Sequence, residues 1–284
     1  MNCSSNTYRE VLARITEELS KAGVPDASSD ARILLEEDSG LDYSHLLMQM
    51  NEQLPEETAE KLRVHVTQRK KRIPLQQIIG YTEFMGLKFH VNEHVLCPRQ
   101  DTEVLVEEAL KKIKPGMKVL DLCTGSGCIA VSLAKLGSTD VTATDISEDA
   151  LAVARRNAQE NGVDVHFFKG DLYNALPEQD RYDMIVSNPP YICTSVIDTL
   201  EPEVRDHEPH IALDGTADGL AFYRRIISDS GNYLKEGGHL LFEIGYDQGT
   251  AVSELLRNNA YEDIQVIKDY SRNDRVVAAR FTSQ

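Results

Sequence analysis

Apolar residues recur at two periods along this chain, and the change of period divides it. Tyr8, Val11, Leu12, Ile15 and Leu19 fall at helical spacing, and Gly23 with Pro25 ends that helix. Ala31, Leu34 and Leu35 mark a second helix that stops near Gly40, and a third is expected over 43–50. A fourth starts at Pro55, a good first-turn residue, and continues to Arg72. Residues 1–73 therefore read as a small helical domain with no catalytic pattern. Further on the period shortens: Leu87, Phe89 and Val91 alternate with Lys88, His90 and Asn92, and Met85-Gly86 can turn the chain. This predicts a β-hairpin over 78–92, inside a linker over 74–95. After Pro115-Gly116, strand-like runs (117–122, 140–144, 163–168, one opening at Tyr182, 239–244, 262–268, 275–281) alternate with helical stretches (128–136, 147–161, 220–234, 248–258). The alternation predicts an α/β domain over 96–284, its mostly parallel sheet covered by helices on both faces.

One of these runs ends abruptly. Tyr182-Asp183-Met184-Ile185-Val186-Ser187 is short and apolar, follows the loop-like Leu176-Pro177-Glu178-Gln179-Asp180, and meets Asn188-Pro189-Pro190-Tyr191. Proline cannot donate to a sheet ladder and holds the preceding residue extended, so the strand stops with the Asn188 side chain at the sheet edge. Open α/β sheets keep their ligands at that edge. The Asn188 side-chain oxygen and the Pro189 carbonyl are two acceptors in a fixed relation, able to take both protons of a planar NH2 group. The Tyr191 ring can cover the plane of that group. Asn-Pro alone would be an ordinary strand terminator; the four residues after an apolar strand point to recognition of an amine or amide nitrogen.

A second stretch suggests the cosubstrate. Cys123-Thr124-Gly125-Ser126-Gly127 lies between a predicted strand and a predicted helix, and Asp145 closes the next strand. Glycines suit a sharp strand-to-helix turn with a ligand against its backbone, and an acidic residue about 20 positions on suits ribose hydroxyls. The pattern predicts an adenosine-containing ligand, NAD or S-adenosylmethionine. The placement of Asn188-Pro189-Pro190-Tyr191 favours the second, because hydride transfer has no evident use for a group that grips an amine.

Composition narrows the picture. Thirty Lys and Arg against 46 Asp and Glu give a formal charge of −16, which argues against a protein that works mainly by gripping nucleic acid phosphates. The dense positive run Arg69-Lys70-Lys71-Arg72 suits a helix C-terminus, with RNA or an acidic partner as the alternative. Five cysteines without a Cys-x-x-Cys indicate neither a disulfide framework nor a zinc cluster, and His207-Glu208-Pro209-His210 is a poor metal motif because its proline disrupts helical presentation. Cys193 reads as a packing thiol. With no apolar signal core at the N-terminus and no membrane-length apolar run, a soluble protein of the reducing cytoplasm is expected, with no metal. The polar stretch 95–103 either lines a site or starts a helix that runs to about Ile113, and 192–218 is expected to border the substrate opening.

Taken together, Gly80, Phe84, Gly86, Pro98-Arg99, Asp101-Thr102-Glu103, Asp121-Leu122, Thr124-Gly125-Ser126-Gly127, Asp145, Asn188-Pro189-Pro190-Tyr191-Ile192, Glu208-Pro209, Ala212-Leu213, Asp218-Gly219-Leu220, Glu243-Ile244-Gly245 and Asp274-Arg275 resemble the release factor glutamine N5-methyltransferases. That family lies within the class I S-adenosylmethionine-dependent methyltransferases. The resemblance implies a seven-stranded Rossmann-like sheet, a small N-terminal helical domain that docks the protein substrate, and a linking hairpin. It implies methylation of the glutamine in the Gly-Gly-Gln motif of class I peptide chain release factors, with no direct nucleic acid substrate. Carried over by position, Cys123, Thr124, Gly125, Ser126, Gly127, Asp145 and Asn188 hold S-adenosylmethionine, with Asp171 and Leu172 near its adenine. Asn188 and Pro189 bind the glutamine amide, and Pro190 and Tyr191 shape the pocket. Asn-Pro-Pro-Tyr alone is shared with DNA adenine and rRNA guanine methyltransferases, so a nucleic acid amino-methyltransferase is the rival enzyme, and a catalytically inactive binding scaffold the rival of another kind. The sequence departs from the family at Cys123 (usually glycine), Gln100 (proline), Leu172 (a larger ring in some relatives) and Arg272 (glycine).

Overall fold

The computed structural model describes residues 6–177 and 180–282. Cys3, the N-terminal five residues and the loop residues Glu178 and Gln179 lie outside them. The chain divides into two compact units, one running through Gly80 and taking in Glu201–His207, the other comprising Tyr81–Leu200 and Glu208–Gln284. Among the described residues, no helix is long and apolar enough to cross a membrane.

The first unit is built from α1 (Tyr8–Lys21), α2 (Ala27–Ser39), α3 (Tyr43–Met48), α4 (Glu56–Lys70) and α5 (Leu75–Ile79). The Thr7 hydroxyl accepts from Glu10 N while the Glu10 carboxylate accepts from Thr7 N, a reciprocal cap that starts α1. The left-handed Gly40 ends α2. Val11, Ile15, Leu19, Leu34, Leu35, Leu62 and Val66 meet in one core, and Leu75, Ile78 and Ile79 of α5 pack against it. That packing carries the helical unit to Gly80 rather than to the expected boundary at 73, and makes a helix of residues expected in the linker. The basic run has a use that its sequence did not disclose. The Arg69 guanidinium is buried between Asp30 Oδ2, 2.7 Å away, and Glu203 Oε1, 2.8 Å away. Arg72 binds the same Glu203 at 2.5 Å and Glu201 at 3.2 Å, and Lys70 pairs with Glu18 at 2.9 Å. Acidic residues some 130 positions away thus take up the charge that suggested RNA or a partner protein.

The second unit opens with the antiparallel hairpin β1 (Tyr81–Phe84) and β2 (Leu87–His90). Met85 and Gly86 both adopt positive φ at its turn, as a two-residue primed turn requires. After α6 (Gln100–Leu110) come β3 (Lys118–Leu122), α7 (Cys128–Gly137), β4 (Asp140–Asp145), α8 (Glu148–Glu160), β5 (His166–Lys169) and β6 (Tyr182–Ser187). Three single-turn helices follow, α9 (Thr194–Ile197), α10 (Pro202–Arg205) and α11 (His210–Leu213). The chain closes with α12 (Ala221–Ser230), β7 (Leu234–Glu243), α13 (Gly249–Arg257), β8 (Tyr261–Lys268) and β9 (Asp274–Phe281). The seven-stranded sheet has the order β5-β4-β3-β6-β7-β9-β8, parallel except for β9, which is antiparallel to both neighbours.

Burial on both faces explains why the central strands read as continuous apolar runs. Val119, Met184 and Val186 point into a core covered by α6 and α7, whereas Leu120, Leu122 and Ile185 point into a second core covered by α12 and α13. Each fully buried side chain of this size contributes about 1.5–3 kcal/mol. The helix expected to reach 234 stops at Ser230, and β7 begins at Leu234 with a register shift against β6 between Tyr182 and Met184. Glycines 237 and 238 accommodate that irregularity, and Gly237 takes φ 74°.

Candidate active site

β3 and β6 are adjacent and parallel, with Leu122 opposite Ser187, and the chain leaves β3 toward β4 on its other side. Two loops that diverge from neighbouring strand ends open a crevice, and both predicted motifs leave these strands on the same edge. The Ser187 hydroxyl donates to the Leu122 carbonyl at 2.6 Å and ties the two ends together.

The first loop is held from within. Gly125 N donates to Asp145 Oδ2 at 2.9 Å, Ser147 N donates to Asp145 Oδ1 at 2.9 Å, and Thr124 N donates to the Thr144 carbonyl at 3.0 Å. Its glycines serve different purposes. A side chain at Gly125 would meet nothing within 4 Å, so its backbone is open to a ligand, whereas one at Gly127 would lie 3.0 Å from Ala154 Cβ. Gly127, at φ 78° and packed against α8, is required to be glycine by the fold itself. Cys123, Leu172 and Arg272 take φ 61°, 55° and 69°. All three hold a left-handed backbone, the conformation that glycine suits best.

The loop borders a cavity of about 220 Å³. Every residue predicted to bind the cosubstrate lines it except Gly127, and Ile129 and Ile146 add apolar wall. Burial raises the Asp145 carboxyl above its ordinary range, opposed by the backbone N–H groups of Ser147 and Gly125. Asp171 is engaged with Arg225, 2.7 Å from its carboxylate, a cavity residue that carries no signal in the sequence. Behind the loop, Asp121 is fully buried and its carboxyl pushed up to about 7 by desolvation, although the Thr124 hydroxyl donates to it at 2.6 Å. An open backbone turn, a carboxylate at the next strand end and an apolar slot beside Leu172 form a site that fits S-adenosylmethionine.

Of the four residues that terminate β6, Asn188 and Pro190 line this cavity, whereas Pro189 and Tyr191 do not. Asn188 Nδ2 donates to the Thr102 hydroxyl at 3.5 Å, and no donor among the described residues reaches Asn188 Oδ1 or the Pro189 carbonyl. The Tyr191 hydroxyl is directed at Glu243 Oε1, 3.4 Å away, so its ring belongs to the wall's support in this conformation. The Tyr191 carbonyl accepts from Gln248 Nε2 at 3.0 Å, and its backbone lies so close to Gly215 and Gly219 that a side chain at either would clash. Gln248, Gly215 and Gly219 gave no sequence signal as supports, because three separate segments converge on one backbone.

The stretch 94–99 and Thr102 line the cavity, and so do Pro209, Ile211 and Ala212 from the long loop. Arg99 Nη2 donates to both oxygens of the buried Glu208, at 2.8 and 2.9 Å. Glu208 of the His-Glu-Pro-His stretch is thereby committed to a guanidinium, and among the described residues no cluster suited to a metal ion occurs. Burial pushes the Cys97 and Cys128 thiols up to about 12, so both are inert at neutral pH.

Residues 99–200 match the family "Methyltransferase small domain" and residues 10–80 match "PrmC N-terminal domain". The release factor glutamine methyltransferase of Geobacter sulfurreducens is 43% identical over 275 residues, covering 96% of each chain. That of Bacillus subtilis is 38% identical over 282 residues, covering 96% of this chain and 97% of the relative. Among solved structures, a methyltransferase from Pyrococcus furiosus superposes with a TM-score of 0.52 at 18% identity, over 70% of this chain and 91% of the other. A Thermus thermophilus 16S rRNA N2 G1207 methyltransferase in complex with AdoMet and guanosine gives the same TM-score, 0.52 at 18% identity, over 71% of this chain and 49% of the other. The two structures speak to the fold alone, a Rossmann-like methyltransferase sheet; the sequence relatives, matched along nearly the whole length, speak to more. The chain belongs to the release factor glutamine methyltransferase family.

Proposed function

We propose that this protein methylates the side-chain amide nitrogen of the Gly-Gly-Gln glutamine in class I peptide chain release factors, with Asn188 and Pro189 as the groups that hold that amide. The supporting observation is the pair of oxygens at the end of β6, Asn188 Oδ1 and the Pro189 carbonyl, left without donors where Asn188 lines a cavity shared with the loop after β3. An amide NH2 presents two protons in one plane, and two acceptors that take both leave the nitrogen's remaining face turned one way.

An amide nitrogen is a poor nucleophile because its lone pair is delocalised into the carbonyl. Bound S-adenosylmethionine supplies a methyl group activated by sulfonium charge. Asn188 and Pro189 supply orientation and two partial negative charges, which favour the more pyramidal nitrogen on which positive charge develops. No strong base is required early, since the nitrogen's proton becomes acidic as that charge grows. Asp145 is the acceptor for ribose hydroxyls, Asp171 and Leu172 flank the adenine, residues 123–127 cradle the remainder, and Pro190 sets the cavity edge. The helical unit docks the protein substrate.

The test is transfer of a labelled methyl group to an intact release factor, to one whose motif glutamine is replaced, and to DNA and ribosomal RNA. Label only on the intact factor is expected; label on nucleic acid instead would replace this reading with the rival enzyme. Asn188→Ala should lower turnover by roughly a thousandfold or more while cofactor affinity stays within about twofold. Equal loss of both would exclude Asn188 as the group that holds the amide.

A further inference from the structure

Asn188 serves as an acceptor only if its amide is turned the right way round. A side-chain amide is nearly symmetric in shape, and rotation by half a turn would offer the substrate an NH2 where it needs an oxygen. Nothing in Asn188 itself prevents this, so its surroundings must.

Those surroundings are two buried polar side chains from other elements. Thr102, in the first turn of α6, is buried and presents its hydroxyl to Asn188 Nδ2 at 3.5 Å. Glu243 ends β7, and because Ser187 of β6 lies opposite Phe242, the next residue after each, Asn188 and Glu243, is brought to one level of the sheet. The Glu243 carboxyl is buried and receives the Tyr191 hydroxyl at 3.4 Å, and the nearby Thr102 hydroxyl favours its ionised form. Its Oε2 is buried without a hydrogen-bond partner and so is free to accept the Thr102 proton, and Glu243 does not line the cavity, so it does not reach a ligand directly.

We propose that Thr102 and Glu243 are positioning residues that fix the rotamer of the Asn188 amide, with Oδ1 toward the substrate. A hydroxyl has one proton and two lone pairs. Beside an ionised carboxylate, which can only accept, that proton goes to Glu243, and Thr102 is left able only to accept from Asn188. The amide then turns Nδ2 to Thr102 and Oδ1 to the cavity; the reverse arrangement sets oxygen against oxygen. Burial and the Asp101 carboxylate raise the Glu243 carboxyl to about 7, opposed by the Thr102 hydroxyl and Arg275, so the ionised form that fixes Thr102 is reached as pH rises through 7. The inference rests on Asn188 being the amide-binding group.

The experiment compares Thr102→Val, Thr102→Ser, Glu243→Gln and Asn188→Ala in the full-length protein, with methyl transfer to a release factor as activity and calorimetry for cofactor affinity. Val keeps the shape of threonine without the hydroxyl and should lower kcat by roughly 10–100-fold at unchanged cofactor affinity. Ser restores the hydroxyl and should recover kcat to within about threefold. Gln can donate to Thr102 as well as accept, so E243Q should lower kcat like T102V and remain informative if T102V fails to fold. E243Q should also be flat with pH where the wild type gains activity as Glu243 ionises near pH 7. A T102V enzyme as fast as wild type, or T102S as slow as T102V, overturns the proposal while an inactive N188A keeps the amide-binding reading. An active N188A overturns that reading instead.

Discussion

At the scale of single residues, the buried carboxyl of Asp121 shows how a fold sets chemistry that its sequence does not announce. Asp ordinarily titrates near 3.8, and desolvation on β3 pushes Asp121 to about 7. Because the folded value lies above the unfolded one, the protonated form is the one that favours folding. Its contribution is complete below about pH 4 and is lost as pH rises through 7, by about 2–4 kcal/mol at pH 8. Asp121→Asn, which never ionises, should match the wild type at pH 4 and be more stable at pH 8. Denaturant unfolding at the two values checks this, and an equal difference at both would remove ionisation as the cause. The residues at 123–127, 145 and 188–191 stood out in the sequence because each has a reason tied to type, glycine for an open turn and Asn-Pro for a strand that must stop, and the fold gathers Cys123 to Ser126, Asp145, Asn188 and Pro190 around one cavity. The partners of those residues did not stand out, since Thr102, Gln248 and Arg225 are ordinary residues made important by what they meet.

At the scale of elements, period was a sound guide wherever an element was long enough to show one. The first four helices of the first unit and the seven strands follow from the spacing of apolar residues, because each must turn a continuous face toward a core. The stretch 192–218 shows no period, as its helices are single turns, too short to be stable alone. Tertiary contacts hold it: Ile192 N donates to the Leu213 carbonyl at 3.0 Å and Gly215 N to the Ile192 carbonyl at 2.8 Å. Gly219 in the same turn takes φ 71°, and an added Cβ would run into the Tyr191 carbonyl oxygen. Gly219→Ala must therefore displace either the turn or the end of the Asn-Pro-Pro-Tyr segment. It should lower stability by about 2–4 kcal/mol and kcat by roughly tenfold, with cofactor affinity little changed. Thermal unfolding beside steady-state kinetics separates these effects; an unaltered kcat would show that the segment does not depend on the turn.

At the scale of the molecule, a formal charge of −16 conceals a local balance. The two arginines of the dense positive run are neutralised inside the helical unit by Asp30, Glu201 and Glu203, and Glu203 meets both Arg69 and Arg72. Breaking a buried ion cluster by removing one partner leaves charge unpaired in a poor dielectric, at a cost of about 3–5 kcal/mol. Glu203→Ala should thus loosen the helical unit, with faster amide exchange in α2 and α4 and unchanged protection in the central strands of the sheet. Uniform loss of protection across both units would show that the cluster serves the whole chain rather than one part of it. Glu203 belongs to a long loop whose later residues, Pro209 to Ala212, wall the cavity, so one segment of sequence serves both units.

The sequence by itself determined the class of fold, the order of its elements, the two loops that carry the chemistry and the family, because these depend on residue type, spacing and short motifs. The tertiary structure alone decided that Gly127 packs against α8, that Arg69, Lys70 and Arg72 are paired internally, and that Thr102 stands beside Asn188. Each of these is a meeting of residues distant in the chain, and period along a sequence carries no record of which distant side chain lies across a packed interface.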